Sequence, residues 1–174
     1  MEKMIAKPQL GFGEAVKLAW SRLTEINGRS RRSEFWWTML AYVLCGIFVG
    51  SIAGLVLPPV AAQIVGALFQ LLVLPLTIRR VQDTGHSKWW PILSWLAGAV
   101  INIMMAGAQD ALSTVNPDSE AAESLFTNPV FWVSIIVALV AGLATFIFCL
   151  LDSKPEANKY GESPKYTTQT DNIF

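Results

Sequence analysis

The sequence predicts an all-α integral membrane protein, a four-helix bundle with an N-terminal amphipathic helix in the cytoplasm or at the membrane interface. Of the 174 residues, 53% are apolar and 15% are charged, whereas soluble domains average about 25% charged residues. Four runs without a charged residue match the roughly 20 residues that a helix needs to cross the hydrocarbon core. Lys and Arg are confined to one set of loops. Together these features indicate a chain that crosses a bilayer four times.

The segment 1–34 is too polar and charged for a cleavable secretory signal, so we expect the first apolar run to remain as an anchor. Apolar residues recur in this segment at helical spacing: Phe12, Val16, Ala19, Trp20, Leu23 and Ile26. Asn27-Gly28 is expected to end that helix. Because the helix is tethered to a membrane anchor, we expect it to lie in the cytoplasmic interface. Packing on the protein's own cytoplasmic loops is the alternative.

Four uncharged runs are the predicted spans. They cover residues 35–57, 60–78, 89–108 and 129–151. Pro58-Pro59 separates the first two, Thr84-Gly85 is expected to end the second helix, and Asn128-Pro129 is expected to cap and begin the fourth. Residues 152–174 form a tail, which we expect to be disordered from Thr167.

The distribution of basic residues predicts the orientation. All 13 Lys and Arg residues lie before the first span, between the second and third spans, or in the tail. The loop 109–128 has none and carries four acidic residues instead. Positive charge resists translocation, so the basic segments and both termini are expected in the cytoplasm.

Gly46, Gly50 and Gly54 recur every four residues in the first span. Small residues at this spacing let another helix approach closely in a membrane. This stripe is expected to pack within the bundle, and an interface between copies of the chain is the alternative. Cys45 and Cys149 lie at depths that differ by roughly 12 Å at 1.5 Å per residue, so no disulfide is expected.

Three polar clusters carry a recognisable pattern. They are Gly28-Arg29-x-x-Arg32-x-x-Phe35-Trp36, Arg79-Arg80-x-x-Asp83-x-Gly85-x-Ser87-x-Trp89-Trp90 and Asn158-x-Tyr160-Gly161. In this order they resemble domain of unknown function 805, the YhaH-like family of bacterial inner-membrane proteins. The family pattern has His, Arg and Gly where this chain has Gln82, His86 and Lys88. The resemblance implies a bacterial inner membrane and no particular activity.

The clusters bring five arginines and two acids to one membrane face. We call this set the arginine cap: Arg29, Arg31, Arg32, Arg79, Arg80, Glu34 and Asp83. Asp83 lies four residues after Arg79 and three after Arg80, so helical geometry permits ion pairs. The first interpretation is that the arginines set the topology and pair with nearby acids and headgroups. The more specific interpretation is a binding pocket for phosphate or an anionic headgroup, which Arg binds in bidentate fashion. In this interpretation Asn158 and Tyr160 close the pocket from the tail.

The sequence offers little for catalysis. His86 is the sole histidine, so paired-His metal sites are not expected, and no strand-to-helix phosphate loop is present. We therefore expect no cofactor, no metal, no nucleic-acid partner and no enzymatic activity. The interpretation is an inner-membrane scaffold or accessory subunit whose arginine cap binds anionic lipid or a protein partner. That partner is either a second copy of the chain in a homo-oligomer or another membrane protein. The alternative is a small transporter or channel for a neutral or apolar solute, since no charged residue lies within a span.

Overall fold

A computed structural model describes residues 3–113 and 120–169 of the chain, which are mostly helical. Along the chain, the elements are β1 Lys3–Ala6, α1 Phe12–Ser21, α2 Arg32–Val56, α3 Pro59–Asp83, α4 Trp89–Ser113, α5 Glu120–Thr127, α6 Pro129–Leu150 and β2 Tyr166–Gln169. Within the described residues, four helices (α2, α3, α4 and α6) are long and apolar enough to cross a membrane.

The burial pattern is the reverse of that in a water-soluble protein. Large apolar side chains along the four long helices are exposed, as shown by Phe48 at 68%, Leu55 at 87% and Ile103 at 73%. The fully buried side chains include Arg79 and Asp83. Apolar surface of this extent needs an apolar solvent, so the structure supports a multi-pass membrane protein.

The chain divides into two compact units. The first comprises residues Met1–Lys88 and Phe146–Phe174, and the second comprises Trp89–Thr145. The second unit is centred on Leu125 and Phe131, which pack with Ile101, Met104 and Ile135. As expected, Asn128 caps α6, since its side-chain oxygen accepts a hydrogen bond from the Val130 amide at 2.9 Å, and Pro129 is the first residue of the helix.

The first unit holds the candidate site. In it, α1 packs against α2, and α2 packs against α3. Ala15 and Ala19 of α1 are buried, and the Thr38 hydroxyl donates to the Ala15 carbonyl at 3.3 Å. The helix ends at Ser21, and short turns follow it. The expectation that it continues through Leu23 and Ile26 to a stop at Asn27-Gly28 is therefore wrong. Its position at a membrane interface stays a prediction.

The helix α3 continues beyond the apolar run to Asp83. Thr84 is its C-cap and is followed by Gly85 with φ of +85°, a conformation that suits glycine, so the helix ends where expected. The two prolines at the α2–α3 junction fall where expected, since α3 begins at Pro59. Both cysteines are free thiols, as expected, with Cys45 exposed and Cys149 buried.

The three glycines of the α2 stripe differ in how closely other side chains approach them. A Cβ atom at Gly46 would lie 3.0 Å from the ring of Phe69 on α3. At Gly50 and Gly54, a Cβ atom would meet nothing within 4 Å in the described part of the chain. Of the three glycines in the stripe, Gly46 alone lies at a close approach of α2 to α3 among the described residues.

The tail contains one element that contradicts the sequence analysis. Residues 166–169 form a strand that pairs antiparallel with 3–6, from Lys3 opposite Gln169 to Ala6 opposite Tyr166. The Lys7 amide extends the ladder by donating to the Lys165 carbonyl at 2.7 Å. The expectation of disorder from Thr167 is therefore wrong for residues 167–169.

Candidate functional site: the arginine cap

Asp83 is the centre of the arginine cap. Its Oδ1 accepts a hydrogen bond from Arg29 Nε at 2.9 Å, and its Oδ2 accepts one from Arg80 Nη1 at 2.6 Å. The Ser153 hydroxyl also donates to Oδ2. All three charged side chains are at least 99% buried. One carboxylate at the end of α3 therefore joins the segment before α2 to the tail.

Arg80 caps the last turn of α6. Its Nε donates to the Cys149 carbonyl at 3.2 Å, and its Nη2 donates to the Leu151 carbonyl. These carbonyls have no partner inside a helix because they lie at its C-terminal end. A cation there also interacts favourably with the helix dipole. Arg80 makes the ion pair with Asp83 that the spacing permits, and it stabilises the end of another helix as well.

Arg29 holds the tail through backbone carbonyls. Its Nη1 donates to Glu156 at 2.9 Å and to Gly161 at 3.2 Å, and its Nη2 donates to Lys154 at 2.5 Å. With Nε on Asp83, all three nitrogens are occupied. This use depends on the planar, multidentate geometry of guanidinium, which the ammonium of Lys does not reproduce.

Arg79 pairs with Glu34 rather than with Asp83. Its Nη2 lies 3.6 Å from Glu34 Oε1, and its Nε donates to the Ser30 hydroxyl at 3.1 Å. Ser30 in turn donates to Glu34 at 3.0 Å. The Nη1 of Arg79 takes the carbonyls of Arg22 and Glu25, the latter at 2.6 Å. These contacts fix the turns between α1 and α2, and they occupy the carbonyls just after α1 ends.

Gln82 fills the position where the family pattern has His. Its amide orientation is assigned from its neighbours, and its nitrogen then donates to the Ile26 and Gly28 carbonyls at 3.2 and 2.8 Å. Asn158 donates to the Gln82 carbonyl at 3.0 Å, which docks the tail on α3. Tyr160 contributes its amide to Asn158 at 2.8 Å, while its ring lies 5.0 Å from the Lys159 ammonium.

Arg31 and Arg32 lie apart from this network. Arg31 is buried and donates to the carbonyls of Pro8 and Lys7 at 2.7 and 3.3 Å, which holds the segment before α1. Arg32 is exposed and donates no hydrogen bond within the described part of the chain. It lines an open cleft of about 310 Å³ with Trp36, Trp37 and Lys165.

His86 has a structural environment. Its ring stacks on Phe148 with centroids 3.7 Å apart, and its Nδ1 lies 3.0 Å from the Thr84 hydroxyl. Burial lowers the pKa of His86 below its ordinary value, and the charge of Lys154 lowers it further. Asp83 and His86 do not form an acid–base pair among the described contacts, because Asp83 is occupied by two arginines and Ser153.

A second cavity lies among α1, α2 and α3, with a volume of about 190 Å³. Its walls are almost entirely apolar and include Trp20, Leu23, Tyr42 and Phe69. The free thiol of Cys45 also lies in this lining. The position of the cavity between two long apolar helices suits hydrocarbon.

The structure therefore brings together Arg29, Arg80 and Asp83, places Arg79 with Glu34 beside them, and leaves Arg32 outside. The sequence analysis missed Ser30 and Ser153, whose hydroxyls lie inside the network, and Gln82. Ser30 lies between Arg29 and Arg31 in the first polar cluster, and this position could have indicated its role. Ser153 lies outside the three clusters, and nothing in the sequence around it indicates a role. All three nitrogens of the buried Arg29 and Arg80 guanidiniums donate to acceptors of the chain itself, so this arrangement holds α3, the segment before α2 and the tail together.

One comparison with known proteins gives a match. A family model described as "Protein of unknown function (DUF805)" matches residues 23–162, which includes all three polar clusters. No curated protein and no solved structure matches the chain.

Proposed function

Since the chain belongs to the DUF805 family, whose function is unknown, we propose its role from its own residues. We propose that it is a non-enzymatic scaffold or accessory subunit of the bacterial inner membrane. Its four long helices form a bundle, both termini are cytoplasmic, and the arginine cap presents a rigid surface to anionic lipid or a protein partner.

The main support for this proposal is that the buried guanidiniums are hydrogen-bonded within the protein. Arg29 and Arg80 each use all three nitrogens on internal acceptors. Removing either partner of a buried ion pair is costly, so a substrate does not displace these contacts cheaply. A group that is fully hydrogen-bonded to its own chain is suited to holding a shape, and poorly suited to binding or chemistry.

Charge supports the proposed orientation. The basic residues lie before or at the start of α2, in the last turns of α3 or just after it, and after the end of α6, while the loop 109–128 is acidic. By the positive-inside rule, both termini then lie on the cytoplasmic side. The exposed rings of Trp20, at 70%, and Phe12, at 46%, support an interfacial position for α1.

Reporter fusions test the topology. A green fluorescent protein and an alkaline phosphatase are fused in parallel after Phe174 and within the loop 109–128. We expect fluorescence but no phosphatase activity at the tail, and the reverse at the loop. Phosphatase activity at the tail would contradict the proposed orientation.

Flux measurements separate the scaffold from its alternative, a small transporter or channel. Proteoliposomes holding the full chain are mixed rapidly with glycerol or urea, and the shrinking and swelling rates are compared with those of protein-free vesicles. We expect equal rates. Faster swelling that scales with the amount of protein would overturn the proposed role, whatever the cap binds.

A further inference from the structure

The cleft beside Arg32 differs from the rest of the arginine cap because one of its cations, Arg32, is exposed and makes no hydrogen bond among the described residues. The cleft has a volume of about 310 Å³, and its lining includes Arg31, Arg32, Lys165, Asp152, Trp36 and Trp37. Three of these side chains are basic and one is acidic, so the cleft carries a net charge of about +2 at neutral pH by ordinary protonation states.

Arg32 is the cation whose donors are available: its charge acts on Asp152 across the cleft, but none of its nitrogens donates a hydrogen bond within the described part of the chain. The guanidinium of Arg31 donates to two backbone carbonyls. Lys165 forms an ion pair with Asp152 at 2.5 Å, and that hydrogen bond lowers the pKa of the Asp152 carboxyl.

The surroundings indicate where an anion would come from. Arg32 is the first residue of α2, and the apolar run begins three residues later at Phe35. Trp36 and Trp37 line the same cleft, and paired indoles at the end of a membrane helix are typical of the headgroup level. A planar guanidinium binds phosphate oxygens in bidentate geometry. A soluble anion would not require the indoles, whereas a lipid places glycerol and upper acyl chain against them.

We propose that this cleft binds the phosphate group of an anionic phospholipid, with Arg32 as the direct ligand and Lys165 as a second cation. The inference deepens the proposed function by naming the ligand class and the site. It assigns lipid contact to Arg32 and leaves the buried arginines as the framework.

The test is a titration of the purified full chain in detergent with dioctanoyl phosphatidylglycerol, followed by native mass spectrometry. Dioctanoyl phosphatidylcholine is the zwitterionic comparison, and inorganic phosphate is titrated separately. We expect the wild type to prefer phosphatidylglycerol and Arg32→Gln to bind it about tenfold more weakly, as for loss of a charge-assisted hydrogen bond. Arg32→Lys should fall between them, because it keeps the charge but not the fork.

Two further variants show whether weaker lipid binding comes from the cleft itself, from a general loss of positive charge or from misfolding. Lys17→Gln removes one exposed positive charge from α1, outside the cleft, and should bind like the wild type. Asp152→Asn raises the net charge of the cleft by one and frees Lys165, so it should tighten binding. A misfolded protein does not gain affinity.

Three outcomes would overturn the inference: equal binding by Arg32→Gln and the wild type, no preference of the wild type for phosphatidylglycerol, or an Arg32-dependent affinity for inorganic phosphate without one for the lipid. The last would assign a free phosphate site. Any of them, together with inert proteoliposomes, would leave the accessory role standing with a protein as the remaining candidate partner. Solute flux would remove the proposed role independently of the lipid result.

Discussion

Arg29 and Asp83, which are 54 positions apart in the sequence, meet through a 2.9 Å hydrogen bond between buried side chains. Asp83 shares its second oxygen with Arg80, and Arg29 reaches three carbonyls of the tail. The pair therefore joins three segments that are far apart in the chain. Its removal should disturb all of them together.

The variant Asp83→Asn tests whether these buried ion pairs stabilise the protein. The substitution leaves two buried guanidiniums without their shared counter-charge, and breaking a buried pair in this way costs about 3–5 kcal/mol. We expect a clearly lower Tm of the purified protein in detergent. Glu25→Gln is the matched control, because Glu25 also pairs with an arginine, Arg22 at 2.7 Å, but at the exposed surface. Equal Tm values for both variants would mean that the buried pair does not stabilise the protein.

The spans were predictable because their signal is local and one-dimensional. An apolar run of about 20 residues has few alternatives to a membrane helix, and capping residues such as Asn128 and Pro129 act on their own helix. The helix ends were predictable in part. The helix α3 continues through Arg79 and Arg80 to Asp83 and meets the expected stop at Thr84-Gly85. The helix α1, by contrast, ends at Ser21, well before the expected stop at Asn27-Gly28.

The interior of the arginine cap could be predicted only in part. The Arg80–Asp83 pair follows from helical spacing, but the choice of Glu34 by Arg79 depends on how α2 and α3 pack. Most of the hydrogen-bond acceptors of the arginines are backbone carbonyls. Every residue has one, so the residue types do not indicate which carbonyl is used. The strand pair β1–β2 joins chain segments about 160 residues apart, and pairing at that range has no local signature beyond a few β-branched residues.

Arg29→Lys should release the tail and spare the long helices. Lys keeps the charge near Asp83 but does not span the carbonyls of Lys154, Glu156 and Gly161. We expect faster amide hydrogen exchange over 152–169, with exchange in α2 and α3 close to wild type. Arg22→Lys is the control, since Arg22 is partly exposed. Unchanged protection of the tail would show that Asn158 and the strand pair suffice to hold it.

Gly46→Leu and Gly50→Leu should differ in effect. A side chain at position 46 meets the Phe69 ring at 3.0 Å, and overpacking of this kind costs about 1–3 kcal/mol. At position 50 the space is open within the described chain, so we expect an unchanged Tm. Native mass spectrometry of both variants gives the oligomeric state. An oligomer lost only in Gly50→Leu would assign that part of the stripe to contact between copies.

His86 gives a prediction for the pH dependence of stability. Burial and Lys154 lower its pKa in the folded protein below the ordinary 6.5, so the unfolded chain binds more protons than the folded one between the two values. The free energy of unfolding should therefore fall as pH drops from about 6.5 toward the folded pKa, and it should be insensitive to this group above that window. His86→Gln should flatten the dependence, which is followed as Tm against pH in detergent.

The variant Lys154→Gln tests the cause of the lowered pKa. Without the charge of Lys154, the His86 resonances in an NMR titration should move with a higher midpoint. A wild-type midpoint at or above 6.5 would show that the stack on Phe148 does not exclude enough water to disfavour the imidazolium.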